Sequence, residues 1–340
     1  MLALSVLDLI PVRTDQTTGD ALAATLALAR TADELGLTRY WLAEHHNMPA
    51  VASTNPPVLM AMVAAATQRI RVGSGGVMLP NHSPLVIAEQ VALLEAAHPG
   101  RIDVGLGRAP GSDPVTSHLL RRGTTSDGVD TFPDDVATLH SLLRPDGVQV
   151  AVGSRTYDLR ATPQATTAAQ VWLLGSSMYS AQLAGELGLP YVFAHHFAGR
   201  GTHEAIALYR RTFVPSDELP EPRTIAVANV VVADDAGEAA RLALPNARSM
   251  WRLRSGQALT PQELVEDAEA GAPTPPMDEL THSWIVGDPA HAATEVTRLA
   301  ERLGTDELMV SPIAGAHRGS PADRSPAREE TLRLLAAALA

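Results

Sequence analysis

The chain has 340 residues, 45% of them apolar, which is enough for two average domains or one large barrel. The formal charge is −12 and all 26 basic residues are arginine, which argues against nucleic-acid binding and excludes Schiff-base chemistry on lysine. The absence of cysteine excludes disulfides, thiolate catalysis and cysteine-ligated zinc.

The N-terminal segment predicts a buried first strand and not a signal peptide. Residues 1–15 lack a basic start, carry Asp8 within the apolar run and offer no small-residue cleavage site. No apolar stretch reaches the ~18 residues of a membrane span. We therefore expect a cytoplasmic protein with no membrane association.

Eight strand-then-helix units follow one another along the chain. The predicted strands are 2–10, 39–43, a third from residue 70, 101–106, 171–174, 191–194, 225–232 and 307–310. The predicted helices run from Asp20 to Gly36, over 55–68, 84–97, 130–143, 177–187 and 202–213, from 236, from Asp288-Pro289 to Gly304, and over 326–339. Continuous apolar strands alternating with helices predict a parallel sheet closed into a (β/α)8 TIM barrel.

Two stretches exceed the barrel, and we expect residues 1–340 to form a single domain that carries them as insertions. Residues 144–170 resemble a β-hairpin, with strands at 149–152 and 156–160. Residues 254–283 are rich in proline, glycine and acidic side chains, as in a lid or binding loop. Because this second insertion is predicted to join helix seven to strand eight, it has to climb the barrel wall to act as a lid. The final helix is expected outside the barrel or against a partner chain.

Glycines interrupt the third strand and end the fourth. Gly73, Gly75 and Gly76 stand where β-branched residues are expected, which indicates close approach of a ligand or of another backbone. Strand four ends in Gly107 and Arg108, which places a positive charge at the carboxyl edge where α/β folds bind ligands.

Two histidine pairs, 45–46 and 195–196, follow strands two and six. Histidine is the usual proton carrier near neutral pH, but it can equally hold a loop by a hydrogen bond to a neighbouring strand. Two pairs at one rim could also bind a metal. Acidic ligands are missing after strands four, five and seven, so we expect no metal.

Serines surround the start of the helix after strand five. A single serine there is explained as an ordinary N-cap. The run Gly175, Ser176, Ser177, Met178 with Ser180 suits an anion better, because free N–H groups and the helix dipole point at it. Arg108 comes from the neighbouring strand and can bind the same anion through two N–H groups. Together they predict a phosphate-bearing ligand.

Several of these motifs, in order and at matching spacing, resemble the bacterial-luciferase-like flavin-dependent monooxygenases over nearly the full length. The matching segments are Glu44-His45-His46, Asn55-Pro56-Pro57, 73–80, His82 and Pro84, 105–108, 175–180 with 188–190, and 306–311. The similarity is greatest to the short single-chain branch that includes enzymes tailoring aromatic polyketides.

The resemblance implies a barrel that binds reduced FMN. His45 falls on the family's catalytic histidine, and Gly75-Gly76 falls on its non-proline cis peptide beneath the flavin ring. The cofactor-binding set it implies is Gly75, Gly76, Met78, Arg108, Gly175, Ser176, Ser177, Met178 and Ser180. Gly107 stands where luciferase carries a reactive cysteine, and the acidic residue near the phosphate is missing. Both departures argue against light emission from aldehydes.

The resemblance also implies the reaction and its partners. FMNH2 from a separate reductase would react with O2 to give a C4a-(hydro)peroxyflavin, which hydroxylates or epoxidises a small organic substrate such as a natural-product intermediate. The protein would position the flavin, exclude water and relay a proton through His45. The family usually forms a homodimer through the helices that correspond to residues 58–66 and 87–97.

Two alternatives stay open at this stage. One is hydride transfer by an F420-dependent enzyme on the same barrel, whose longer polyanionic cofactor would need Arg108 with Arg121 and Arg122 as helpers. The other is a non-catalytic flavin-binding protein. The presence of His45 and of long loops favours an enzyme.

Overall fold

Eight parallel strands of the computed structural model close into a barrel, which confirms the predicted fold class. The structure describes residues 2–109, 111–121, 130–198, 201–271 and 281–340. The strands are β1 Ala3–Asp8, β2 Arg39–Leu42, β3 Arg71–Met78, β4 Ile102–Gly107, β5 Val148–Val152, β6 Arg155–Leu159, β7 Gln170–Gly175, β8 Tyr191–Phe193, β9 Thr224–Val232, β10 Ile285–Gly287 and β11 Glu307–Pro312. The barrel order is β1-β2-β3-β4-β7-β8-β9-β11, and β11 pairs with β1 to close the ring.

Helices surround this barrel. They are α1 Thr18–Glu34, α2 Pro56–Ala66, α3 Pro84–Ala97, α4 Pro114–Leu120, α5 Phe132–Leu142, α6 Met178–Glu186, α7 His195–Ala198, α8 Thr202–Thr212, α9 Ala236–Arg254, α10 Val265–Ala270, α11 Pro289–Leu303 and α12 Pro326–Leu339. None of these described helices combines the length and the apolar character that crossing a bilayer requires.

Local capping chemistry sets several helix ends. The side chains of Asn55 and Asp288 accept backbone N–H groups at the starts of α2 and α11, and Gly304 ends α11 with φ = 61°. The predicted start of α1 was wrong. Thr17 is the N-cap and Asp20 is the third helical residue, so the two form a capping box.

Short elements escaped sequence-based prediction. Helix α4 lies within the loop predicted over 109–128, of which residues 110 and 122–129 fall outside the described ranges, and Asp113 caps it. Helices α7 and α10 and strand β10 were also missed, because three to seven residues carry too little periodicity. The predicted hairpin is present as the antiparallel pair β5–β6, and its strands are largely exposed.

Ion pairs close the barrel at the amino ends of the strands. The Arg39 guanidinium contacts Asp103 at 2.7 Å and Glu307 at 2.5 Å, with all three side chains buried, and it lies 4.8 Å from the ring centroid of Trp172. The interior above it is filled by Leu7, Trp41, Trp172, Val192, Ile225, Val227 and Met309. The carboxyl ends of the strands are therefore the side available to a ligand.

The placement of the second insertion corrects the predicted topology. The helix from residue 236 was expected to be barrel helix seven. Strand β10 instead runs parallel to the end of β9, with Gly287 opposite Val232, and α11 then packs against β9, β10 and β11. Barrel helix seven is α11, so the inserted segment with α9 and α10 leaves directly from the carboxyl end of β9. Residues 272–280 of the predicted insertion lie outside the described ranges.

The C-terminal helix completes the ring as the eighth barrel helix. Helix α12 packs against α1, α11 and β9. Its Arg328 forms a 2.6 Å ion pair with Asp8, and Asp8 also accepts a hydrogen bond from the Tyr40 hydroxyl. Burial alone would raise the pKa of Asp8, but Arg328, Tyr40 and the Ile10 amide together hold it below its usual value.

We expect Asp8→Asn to lower the free energy of unfolding by about 3–5 kcal/mol, because it leaves the buried Arg328 without its counter-charge. Urea unfolding followed by circular dichroism measures the loss. Glu295→Gln removes the partner of an exposed arginine, Arg298, and should cost under about 1 kcal/mol. Equal, small losses in both variants would show that the Asp8–Arg328 pair does not hold α12 on the barrel.

Candidate active site

The glycines of β3 and β4 bring two strands unusually close at the carboxyl edge of the barrel. A Cβ on Gly76 would lie 2.8 Å from the Gly105 carbonyl oxygen, and a Cβ on Gly105 would lie 2.3 Å from that of Ser74. The strand pairing shifts register between Gly75 and Val77, and the Gly75–Gly76 peptide is cis, as the family resemblance implied. Of the two explanations offered for these glycines, close backbone approach is the one that the packing requires at Gly76. At Gly73 and Gly75 a Cβ would instead collide with side chains of the barrel interior.

Glu44 ties the end of β2 to the end of β3. Its buried carboxylate accepts from the Met78 amide at 3.0 Å and contacts the Nε2 atoms of His46 at 2.7 Å and His82 at 2.8 Å. Burial alone would raise the pKa of Glu44, but its hydrogen bonds to His82, His46 and Met78 hold it below the usual value. Met78, a predicted cofactor residue, is thus fixed by its backbone, while its sulfur lies beside Gly107.

The two histidines of the first pair have different environments. His46 is bonded to Glu44, whereas His45 is half-buried and its buried Nδ1 has no hydrogen-bond partner in the described parts of the chain. Burial lowers the pKa of His45, so its imidazole is neutral at pH 7. A buried polar atom without a partner costs about 1–3 kcal/mol, which a ligand group could offset.

The two histidines of the second pair also differ. His195 Nδ1 lies 2.7 Å from the Thr202 hydroxyl, so this ring connects α7 to the first residue of α8. His196 Nδ1 is buried, and no described group bonds it. Burial, with the charges of His195 and His45 nearby, lowers the pKa of His196 to about 4. Strands β2 and β8 are four positions apart in the ring of eight, so His45 and His196 come from opposite walls of the barrel.

The structure brings Arg108 and the start of α6 together. The Arg108 guanidinium carbon lies 4.0 Å from the ring centroid of Tyr179, in the first turn of α6. Ser176, Ser177 and Met178 are exposed at this helix start, where backbone N–H groups lack helical partners. The arrangement pairs a cation with a helix N-terminus, which is a suitable environment for an anion.

Three of the predicted cofactor residues serve the local fold. The Ser180 hydroxyl is buried, donates to the Ser177 carbonyl at 2.8 Å and lies 3.1 Å from the Tyr191 hydroxyl. A Cβ on Gly175 would fall 2.1 Å from that same Ser180 oxygen. Ser177 is the N-cap, as the simpler interpretation of the serines held.

One set of ligand-capable groups gathers within 4.8 Å: Glu44, His46 and His82. The sequence had raised the two histidine pairs as a metal site, but these pairs do not assemble into one cluster among the described residues. Hydrogen bonds between Glu44 and the two imidazoles account for the observed arrangement.

Sequence reasoning missed Tyr179 and the tying role of Glu44, and it left His196 without a role. The signal for His196 was present, because its pair repeats the pattern of 45–46 at a second strand end. Tyr179 gave no signal, because an aromatic residue in a first helical turn is common and its direction depends on where the neighbouring strand lies.

The family model described as luciferase-like monooxygenase matches residues 2–307. A luciferase-like monooxygenase of Escherichia coli K12 is 40% identical over 325 residues, covering 91% of each chain. The crystal structure of apo-MsnO8 superposes with a TM-score of 0.86 at 34% identity, over 99% of this chain and 98% of that one.

Two more distant structures share the fold. The oxygenating constituent of 3,6-diketocamphane monooxygenase from Pseudomonas putida, solved with FMN, has a TM-score of 0.74 at 18% identity, covering 100% of this chain and 98% of that chain. An F420-dependent secondary alcohol dehydrogenase, solved with an F420-acetone adduct, has a TM-score of 0.68 at 15% identity, covering 98% and 99%.

We expect His196→Gln to make the protein less sensitive to acid. The unfolded chain takes up this proton near pH 6.5 and the folded chain only near pH 4, so the free energy of unfolding falls as the pH drops through that window. The variant should lose up to about 1.4 kcal/mol per pH unit of that slope, measured by urea unfolding between about pH 4.5 and 7.5. His203→Gln, on the exposed face of α8, is the control. An unchanged slope in His196→Gln would mean that the ring is not buried and neutral.

Proposed function

Because the chain belongs to the luciferase-like monooxygenases, which are flavin-dependent enzymes, we propose that it uses reduced FMN and O2 to insert one oxygen atom into a small organic substrate. The observation that carries this proposal is the meeting of Arg108 with the first turn of α6, at the carboxyl edge that also presents His45. A cation and a helix start suit a phosphate, and a neutral imidazole suits proton transfer.

The residues at this edge fit the phosphate of FMN. In the described ranges, no carboxylate pairs with Arg108, so its N–H groups are available to a ligand. The Ser176 hydroxyl and the amides at the start of α6 are exposed beside it. Ser180 would support the site by fixing the start of α6, since its hydroxyl is bonded to Ser177 and Tyr191 and its amide donates to the Ser177 hydroxyl.

His45 would act on the proton that oxygen transfer moves. Its ring is neutral, so Nδ1 or Nε2 can accept a proton and return it. Its Nδ1 atom is buried, which limits contact of that atom with bulk water. Bound reduced flavin supplies the electrons that activate O2.

We propose a neutral substrate. His45 and His196 reach the mouth from opposite walls, and burial holds the pKa of both below the usual value. Two neutral imidazoles suit a hydroxyl or carbonyl group better than a carboxylate. Whether the oxygen is inserted as a hydroxyl or an epoxide depends on that substrate.

The electron donor in this proposal is a separate reductase. The described residues form one barrel with a hairpin and an insertion, and they include no second parallel sheet of the dinucleotide-binding kind. FMN is preferred to F420 because Arg108 is the cation that the described structure brings to the start of α6. Of the two helpers considered for a polyanionic tail, Arg121 is the C-cap of α4 and Arg122 lies outside the described ranges.

We further propose a homodimer through α2 and α3. Val58 and Met62 on α2, with Val86 and Leu93 on α3, expose apolar side chains on neighbouring helices, and Val58 and Leu93 are 57% and 58% accessible. Exposed apolar faces of this kind are typical of subunit interfaces.

Anaerobic titration with reduced FMN, oxidised FMN and F420 tests the cofactor. We expect reduced FMN to bind tightest and Arg108→Ala to weaken it about 10- to 100-fold, because a charge-assisted phosphate contact is lost. Arg155→Ala, on the exposed hairpin, is the control. Strong F420 binding without reduced-FMN binding would overturn the flavin proposal, and wild-type affinity in Arg108→Ala would overturn the phosphate site.

His45→Ala should keep its affinity for reduced FMN within about twofold and lower oxygen transfer about 100-fold or more, because a general acid–base group is removed. Incorporation of oxygen-18 from O2 into a panel of neutral alkenes, sulfides and phenols measures transfer. His203→Ala is the matched surface variant. Undiminished incorporation by His45→Ala would remove this residue from the mechanism.

For the quaternary structure, Leu93→Arg should convert a dimer to a monomer, since it places a charge in the apolar contact. Light scattering coupled to size-exclusion chromatography reports the mass. Leu253→Arg, an exposed apolar position on α9, should leave the dimer intact. A monomeric wild-type protein, or a dimer unaffected by Leu93→Arg, would contradict this interface.

A further inference from the structure

The Arg108 side chain has an unusual contact for a cation at a site edge. It is half-buried, and the one interaction it makes within the described ranges is the stack on the Tyr179 ring, at 4.0 Å from guanidinium carbon to ring centroid. An arginine side chain has many rotamers, so a guanidinium without a contact would occupy many positions. The contact with the Tyr179 ring restricts that freedom.

Tyr179 is poorly explained by its own packing. The residue is 39% accessible, in the first turn of α6, so it is not a core side chain. Its hydroxyl forms no hydrogen bond to any group in the described ranges. The guanidinium carbon lies over the Tyr179 ring, and a contact through the face of a guanidinium is compatible with anion binding by its N–H groups.

We infer that Tyr179 is a positioning residue of the anion site: its ring holds the Arg108 guanidinium over the start of α6, so that a flavin phosphate meets two prearranged groups. This inference rests on the proposed FMN site and names the residue that prepares it. The ring acts through cation–π contact, so an aromatic ring is required and the hydroxyl is dispensable. Binding gains because less side-chain ordering remains to be done when the ligand arrives.

A double-mutant cycle with two oxidised ligands, FMN and riboflavin, tests this inference. Tyr179→Leu should weaken FMN binding about 3- to 10-fold, the range that a partly exposed cation–π contact supports, and should leave riboflavin binding unchanged. Tyr179→Phe should bind FMN within about twofold of wild type. In the Arg108→Ala background, Tyr179→Leu should have no further effect on FMN. Tyr157→Leu, an exposed tyrosine on β6, is the matched control.

The outcomes distinguish the role of Tyr179 from the proposed FMN site on which it rests. If Arg108→Ala leaves FMN binding unchanged, the phosphate site itself is wrong. If Arg108→Ala weakens FMN binding but Tyr179→Leu does not, only the role of Tyr179 is overturned. Equal weakening of riboflavin and FMN by Tyr179→Leu, or failure of Tyr179→Phe to restore binding, would also overturn it, because either result marks a merely structural ring.

Discussion

The close approach of β3 and β4 is the constraint on which the site depends. Gly76 and Gly105 stand where any Cβ would collide with backbone oxygens of the opposite strand. The Ser74 hydroxyl donates a hydrogen bond to the Gly105 carbonyl at 2.9 Å, which stabilises the close contact between the two strands. Because β3 shifts register at this point, the Met78 amide turns to Glu44 and the strand end is held to β2.

The polar side chains at this edge fall into two groups: some are hydrogen-bonded within the fold, and others are available to a ligand. Glu44 is hydrogen-bonded to His46 and His82. The Nδ1 of His45, which lies between Glu44 and His46 in the sequence, has no hydrogen-bond partner within the described chain. On the opposite wall of the barrel, the Thr202 hydroxyl is hydrogen-bonded to His195, and the Nδ1 of His196 has no partner within the described chain. The two remaining imidazoles are neutral, and Arg108 supplies the nearby cation. The division suits a cofactor phosphate at one side and a neutral substrate between the histidines.

The amino-acid pattern was sufficient to predict the barrel and the position of Arg108, because the barrel follows from the alternation of apolar strands and helices and Arg108 directly follows a strand. It was insufficient where side-chain direction decides. Ser177 and Ser180 cannot be told apart by sequence, yet the hydroxyl of Ser180 is hydrogen-bonded to the Tyr191 hydroxyl and to the Ser177 carbonyl. The role of α9 was misassigned because β10 is three residues long, and only its pairing with β9 shows that the insertion leaves from the carboxyl edge.

A crystal structure of the protein with reduced FMN, grown without oxygen, would show where the cofactor phosphate binds. We expect a phosphate oxygen within hydrogen-bonding distance of both Arg108 and the first-turn amides of α6, with the flavin ring against Gly75–Gly76 and facing His45. A phosphate bound elsewhere, such as the cavity lined by His195, Arg298 and Arg302, would contradict this expectation.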